Sequence, residues 1–462
     1  LRLAALVAAG AAATGCRDKE RAPLIAPGAE VIVIGAGFAG IGAALELKRL
    51  GYRPLVVEAR GRIGGRAHTD LQLGPPVDLG ASWLHNGPRL NPLQAVAAEA
   101  GIRSRPERHR EAPVIALDSG LREAAGALVD RTQANDKLDA ALRWPWLGGK
   151  SRQLLGLDLP RDSLADLWRE AGGQLGAAEC FIRILLETRL ATDLDTESIS
   201  ALLEDAPEGY DESLLPAGER LLLDGMQRIV EYLARGLDVR LNTLVRRIDW
   251  QRDGVALQTS TGELRAQAAV VTCSVGVLKA HPELFAPALP AAHAAALGRL
   301  GMGLLSKIAV AFARTDWPQP WEAAAFCGAA IAPVAVNLGG DASGPAVVMG
   351  LAGGRGAHRL DHELPPEQAA DFFRRQLERA FGIRLSEPVG VLTSRWKTDP
   401  LALGAYSTLP VGAQGNEAEI LGQPVDGVLV LAGEALAPYD RGTVHGAFLS
   451  GGQAVRRLLA TV

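Results

Sequence analysis

The chain has 462 residues, 48% of them hydrophobic and 22% charged, with a formal net charge of −4 at neutral pH. That length points to two or three lobes around large cores, and the composition excludes a disordered or fibrous chain. The near-neutral balance offers no basic surface of the kind that nucleic acid requires.

The first residues, "LRLAALVAAGAAATGCRDKERAP", contain an apolar run from Leu3 to Thr14. It is too short to span a bilayer as a helix and reads as the core of an export signal. Ala13-Thr14-Gly15-Cys16 resembles a bacterial lipoprotein cleavage box, which makes Cys16 a candidate for lipidation and membrane attachment. The chain begins at Leu1, so a basic stretch upstream, with or without twin arginines, is part of this expectation of an exported protein. Residues 1–29 are read as leader and linker.

From Glu30 the pattern changes. Val31 to Ile34 is an apolar run suited to a parallel strand buried on both faces, an Ala/Leu-rich helix follows and stops at Gly51, and Pro54 to Glu58 reads as a second strand. Between strand and helix, Gly35, Gly37 and Gly40 have the G-x-G-x-x-G spacing. The first glycine permits a tight turn, the second a close approach to a pyrophosphate, and the third close helix–strand packing. Glu58, 18 residues past Gly40, ends the second strand where a carboxylate accepts ribose hydroxyls. Together these predict a Rossmann-like dinucleotide site.

Residues 90–210 read as mostly helical, through "LNPLQAVAAEAG" and "ECFIRILLETRL". The basic run Arg103, Arg105, Arg108 and Arg110 reads as a solvated loop. The acidic stretch Glu204, Asp205, Glu208, Asp211 and Glu212 is either a solvated loop or a lure for a polycation. Strand-like segments return in "LDVRLNTLVRRIDW", "GVALQTST", "AQAAVVTCS", "SKIAVAFA" and "PAVVMGLAG", with a helix in "PPEQAADFFRRQLERAFG" and a closing strand and helix in "GVLVLAGEA" and "GTVHGAFLSGGQAVRRLL". Cys16, Cys180, Cys273 and Cys327 are widely scattered, so neither a metal site nor a disulfide framework is expected.

"EARGRIGGRAHT" (58–69) puts three arginines among three glycines just past the ribose position. With "VDLGASWLHNGPRLNPL" (77–93), the 224–249 segment, "VVTCSVGVLK" (270–279), "GMGLLSKIAVAFARTDW" (301–317), "SRWKTDPLALGAYSTLPVG" (394–412) and "LAGEALAPYDRGTVHGAFLSG" (431–451), the chain resembles the flavin-containing amine oxidase family. The likeness is best to polyamine oxidases and lysine-specific histone demethylases, and weakest between 95 and 215.

The resemblance implies an α/β amine oxidase fold with two lobes. An FAD-binding domain would comprise 30–88, 215–280 and 396–462, and a mixed α+β substrate-binding domain 89–214 and 281–395. It implies FAD held by Gly35, Gly37, Ala39, Gly40, Glu58, Ala59, Arg60, Gly65 and Arg66 at the adenosine and pyrophosphate half, with Val245 beside the adenine. Gly80, Ala81, Ser82 and Trp83 would pass along the isoalloxazine, Glu434 would meet the ribityl–phosphate portion, Thr443 and Val444 would flank the pyrimidine ring, and Trp396 and Gly433 are also implied to bind the cofactor. It implies that Lys307 holds a water near flavin N5, that His85 faces substrate and that Tyr406 walls the space over the flavin. On pattern alone Lys307 reads equally well as an outward-facing strand lysine, and His445 as a structural histidine.

Departures sharpen these expectations. Ala405 stands where some relatives tether flavin through cysteine, so FAD is expected to be non-covalent. Leu84-His85 replaces the arginine segment by which amino-acid oxidases grip a carboxylate. Cys273-Ser274 replaces an apolar-then-proline pair. The implied activity is oxidation of an amine, polyamine-like by preference, with O2 as acceptor and H2O2 as product. An aromatic or cyclic monoamine oxidase, a dehydrogenase with another acceptor, and a flavin scaffold without turnover remain as alternatives.

Overall fold

A computed structural model describes residues 25–85, 91–107, 111–133, 162–170, 177–198, 219–317, 321–328, 330–339, 344–437 and 440–460. The leader, Cys16 and the acidic stretch 204–212 lie outside the described residues. Among the described residues, no helix is long and apolar enough to cross a membrane.

The centre of the dinucleotide half is a five-stranded parallel sheet. Its order is Asp238–Arg240, Arg53–Val57, Glu30–Ile34, Ala268–Val271, Leu429–Leu431. Strands buried on both faces carry continuous apolar runs, and Val31, Ile32, Val33 and Val270 are wholly buried. On one face the helices Phe38–Arg49 and Val444–Ala460 lie against each other with almost no space between their backbones. A Cβ on Gly42 would stand 2.3 Å from the Phe448 carbonyl oxygen, and one on Gly451 2.0 Å from that of Ala39. On the other face an antiparallel meander, Val245–Gln251, Gly254–Thr259 and Gly262–Ala266, sets Ile248 and Leu257 against Ile32 and Ile34.

The second half is a seven-stranded sheet in the order Pro388–Thr393, Leu305–Phe312, Ala346–Gly353, Val334–Gly339, Ala323–Cys327, Pro113–Ala116, Arg122–Ala124. The helix Pro366–Phe381 buries Ala369, Phe373 and Leu377, one stripe at helical spacing, in a core shared with Phe312 and Phe326. It stops at Gly382, whose φ of 66° is the left-handed conformation that a helix end favours.

Two expectations need correction and one gains detail. The regular structure of 90–210 is mostly helical among the described residues, as expected, but Pro113–Ala116 and Arg122–Ala124 also extend the seven-stranded sheet, the first by parallel pairing with Ala323–Cys327. Of the run Arg103, Arg105, Arg108 and Arg110, the last two lie outside the described residues and Arg103 is an exposed loop residue bonded to Asp224, but Arg105 is in a strand, because Ser104–Pro106 pairs with Arg220–Leu222, and it is held by Glu322. Cys180, in the helix Ala177–Leu190, is disulfide-bonded to Cys327 across 147 residues. Scatter along the chain says nothing of proximity once that helix lies on the sheet.

The helix pair yields a test. Gly451→Ala should destabilise the protein by about 2 kcal/mol, because the added methyl meets backbone that cannot yield. Gly298→Ala, in an exposed helical position with open space around it, should instead gain a few tenths to about 1 kcal/mol. Denaturant unfolding of the two variants beside the wild type reads both signs.

Candidate active site

A cleft of about 1100 Å³ runs between the two sheets. Every residue singled out from the sequence as a site residue lines it except Gly40, which packs beneath it. A Cβ on Gly40 would lie 1.8 Å from the Gly35 carbonyl oxygen, so the third glycine serves helix–strand contact. Gly35 has φ of 105°, and its N–H donates to the Val57 carbonyl, closing the turn between the first two strands. Gly37 opens on the cleft, its nearest neighbour being the Gly64 carbonyl at 3.9 Å from a notional Cβ. A side chain there would fill space that a pyrophosphate needs.

The charged residues of this end are mutually organised. Glu58 accepts the Ala36 N–H at 2.8 Å on one oxygen and the Arg60 N–H at 2.8 Å on the other, which fixes the carboxylate at the mouth of the turn. Arg60 pairs with Asp399 at 2.8 Å. Arg62 turns inward and donates to the Ile63 and Gly65 carbonyls, so it holds the loop rather than facing the cleft. Cys273 lies in the cleft wall, and burial pushes its thiol up to about 12, with Glu58 adding to the shift. Ser274 resolves the departure beside it: its Oγ accepts the Val277 N–H at 3.1 Å and donates to Ala402 O at 2.6 Å, capping the helix Val275–Ala280.

Glu434 lines the cleft, and both its oxygens accept from protein groups. Oε1 accepts from Arg66 at 2.8 Å and from the Ser407 N–H at 3.1 Å; Oε2 accepts from Ser407 Oγ at 2.6 Å and the Gly442 N–H at 3.0 Å. Burial pushes this carboxyl up, yet Arg66 and Ser407 outweigh it and hold the group below its ordinary value. Thr443 donates to the Asp440 carbonyl and accepts the Gly446 N–H, which starts the helix Val444–Ala460 at the cleft. His445 is wholly buried against Asp440 at 2.8 Å, a structural placement.

At the other end, Lys307 is 2% exposed on a strand buried on both faces, so the outward-facing reading fails. Its ammonium donates to Asp78 O at 3.0 Å, Gly80 O at 2.5 Å and Ser82 Oγ at 2.5 Å. Those three acceptors match its three protons, which the water-holding expectation did not anticipate. Trp83 places its ring 5.1 Å from the same nitrogen. Trp396 donates from Nε1 to Leu79 O at 2.9 Å. Tyr406 stands against Gly442, with its hydroxyl 2.8 Å from Thr188 O and 3.0 Å from Arg189 O at the end of the helix Ala177–Leu190. His85 Nδ1 lies 3.2 Å from Glu219. Phe181, Ile184 and Leu185 from that helix close the cleft with apolar surface.

Sequence reasoning missed Asp78, Glu219, Asp399, Ser407 and the helix wall. Asp78 carried a signal, a carboxylate between apolar neighbours in "PVDLG". The others carried none, since each is placed by a distant segment.

The family profile described as "Flavin containing amine oxidoreductase" matches residues 38–459. The chain belongs to this family. It is an amine-acting oxidoreductase, and the family implies a flavin cofactor. It is 33% identical over 464 residues to "Polyamine oxidase 2" of Arabidopsis thaliana, covering 95% of this chain and 88% of that one. It is 32% identical over 436 residues to "Polyamine oxidase 4" of Oryza sativa subsp. japonica, covering 91% and 86%. In fold it is similar to a putrescine oxidase, with a TM-score of 0.77 at 20% identity over 94% of this chain and 99% of the other. Cyclohexylamine oxidase from Brevibacterium oxydans gives a TM-score of 0.77 at 23% identity over 94% and 99%.

The Glu434 network predicts an acid-dependent variant. Its folded pKa lies below the ordinary value of 4.5, so its stabilisation is present above that pH and is lost as pH falls through the folded value. Glu434→Gln should therefore cost about 2 kcal/mol at neutral pH, with Arg66 left partly exposed and without its counter-charge, and the gap to wild type should narrow at acid pH as the carboxyl takes up its proton. Unfolding curves at the two pH values check it.

Proposed function

We propose that this flavoprotein is an FAD-dependent amine oxidase that prefers polyamine-like substrates. The observation that carries the reading is the continuity of one cleft from the Gly35–Gly37 turn to the wall formed by Lys307, Tyr406 and His85. The residues present fit the cofactor: an open glycine at the turn, a fixed carboxylate at the ribose position and a glycine-lined floor. Gly35, Gly37, Ala39, Glu58, Ala59 and Arg60 would hold the adenosine diphosphate half, with Val245 at the adenine. Gly65, Arg66, Gly433 and Glu434 would hold the linking portion, and Gly80–Trp83, Trp396, Thr443 and Val444 the ring. The same reading divides the chain into an FAD lobe (30–88, 215–280, 396–462) and a substrate lobe (89–214, 281–395).

FAD, when bound, supplies the acceptor for a hydride from the carbon next to the amine nitrogen and passes the electron pair to O2, giving H2O2. The chain's residues bind and orient. The apolar wall of Phe181, Ile184 and Leu185 excludes water from the reacting carbon, which favours the neutral amine. His85 and Glu219 give the cleft a polar spot suited to a substrate's nitrogen. The resulting imine takes up water and separates into aldehyde and amine. The apolar wall also favours a second reading, a cyclic or aromatic monoamine.

A peroxide assay across polyamines, acetylated polyamines, monoamines and amino acids decides between these. We expect peroxide with polyamines and none with amino acids. Peroxide from cyclic monoamines alone would select the second reading, and anaerobic bleaching without peroxide in air would select another acceptor. The rate of bleaching at sub-saturating amine should rise between about pH 7 and 9, as an ammonium of pKa near ~10.4 yields more neutral amine.

Ala405 stands at the tethering position and the Cys273 thiol is held protonated, so neither supplies a thiolate for a covalent link, and acid precipitation should release yellow flavin to the supernatant. Export, with processing at or near Cys16, is part of the same proposal. The Cys180–Cys327 disulfide suits an oxidising compartment, and the mass of the native N-terminus tests it.

A further inference from the structure

Asp78 stands outside the residues to which the motifs assign a part, and it is 5% exposed. Its carboxylate accepts from Thr69 Oγ1 at 2.5 Å and from the Met226 N–H at 3.0 and 3.2 Å, where the helix Gln227–Leu233 begins. Its carbonyl accepts from Lys307 at 3.0 Å. One residue is thus tied to the first half through a helix start and to the second half through the Leu305–Phe312 strand. Four residues on, Ser82 Oγ takes another Lys307 proton and lies 3.3 Å from Asp78 O and 3.4 Å from Gly80 O.

We propose that Asp78 is a positioning residue for the segment 79–82, supplying the counter-charge that keeps the Lys307 ammonium protonated and so keeps that segment held for the flavin. The proposal rests on the flavin reading above. An ammonium has three protons for its three acceptors; a neutral amine has two for the carbonyls of Asp78 and Gly80, and its lone pair can be met only by the Ser82 hydroxyl, which must then turn its proton away from Asp78 O and Gly80 O. Loss of the proton therefore costs the segment the bond by which Ser82 Oγ holds its own backbone and replaces charge-assisted bonds with weaker neutral ones.

The surroundings leave Asp78 as the charge that matters to Lys307. Along its own strand the neighbours are Ser306 and Ile308; across the ladder stands Leu351, and Ser394 bonds the Lys307 backbone on the other flank. Trp83 offers only a ring face, and Arg66 and Glu434 are paired with each other. Burial pulls the ammonium down to about 8, while Asp78 acts to raise it. Burial likewise pushes Asp78 up to about 6, against Thr69, Lys307 and Met226. Both groups are charged between those values, and the hold on the segment is fullest there.

The test is flavin release from diluted holoenzyme, followed as recovered flavin fluorescence across about pH 5 to 9 without any amine present. Wild type should release slowly between the two values and faster on either side. Asp78→Asn retains an oxygen for Met226 and Thr69 but not the charge. It should move the alkaline midpoint down by about one unit or more and raise release at neutral pH by about tenfold. In Lys307→Met, release should be fast throughout, and adding Asp78→Asn should change nothing further. A wild-type profile flat with pH, an Asp78→Asn profile like wild type, or full additivity in the double variant would overturn the proposal.

If Asp78→Asn yields no soluble protein, Thr69→Val decides. It removes one hydrogen bond from the same carboxylate and should raise the acid-side midpoint, whereas an unmoved midpoint counts against the idea. Release is read without substrate. An amine panel with no turnover would therefore defeat the proposed reaction and leave this result standing, and a failed release test would leave the reaction untouched.

Discussion

The buried ammonium of Lys307 joins the two sheets at the floor of the cleft, and the site takes its shape from how that charge is satisfied. A lysine on a strand buried on both faces must find three acceptors. It finds them on Asp78, Gly80 and Ser82, in a segment that belongs to the other half of the molecule. The segment has little freedom: a Cβ on Gly80 would lie 1.7 Å from the Arg66 carbonyl oxygen, so the chain runs directly against the loop that follows the ribose carboxylate. Dinucleotide turn, ring floor and amine wall are linked through these few contacts.

Charge elsewhere in the cleft is handled by pairing within the protein. Glu434 binds Arg66, Ser407 and Gly442; Asp399 binds Arg60; Glu58 binds two backbone N–H groups. Each pair fixes a backbone or a guanidinium at the cleft surface without leaving a buried charge alone, which is the condition under which such groups are tolerable. The amine end is different in kind. Its wall is a helix held at one end by the Tyr406 hydroxyl on its last carbonyls and near the other by the Cys180–Cys327 disulfide. In the proposed reaction that end has to exclude water and fix the approach of the amine, and an anchored apolar helix suits both.

The dinucleotide unit was legible in the sequence because its geometry is local. Gly35, Gly37 and Gly40 act on their own turn, the apolar run Val31–Ile34 reports burial on both faces, and Glu58 ends the adjoining strand, all within thirty residues. Helix periodicity and Gly382 likewise bounded Pro366–Phe381. For the rest of the site, motif resemblance supplied names for residues, and the residues gathered around one cleft. It did not supply their protein partners: Lys307 meets Asp78, Gly80 and Ser82, and Glu434 meets Arg66, Ser407 and Gly442.

What the sequence determined by itself was the Rossmann-like half, which depends on spacing along one backbone; the family and the other cleft-lining residues were legible through the resemblance of its motifs. Only the tertiary structure decided that Asp78 lies under Lys307, that Glu219 meets His85, that Cys180 reaches Cys327 and that Pro113–Ala116 joins the second sheet. Each is a pairing between segments far apart in the chain. Sheet order and helix placement bring such segments together, and neither is encoded in the residues at either end of the contact alone.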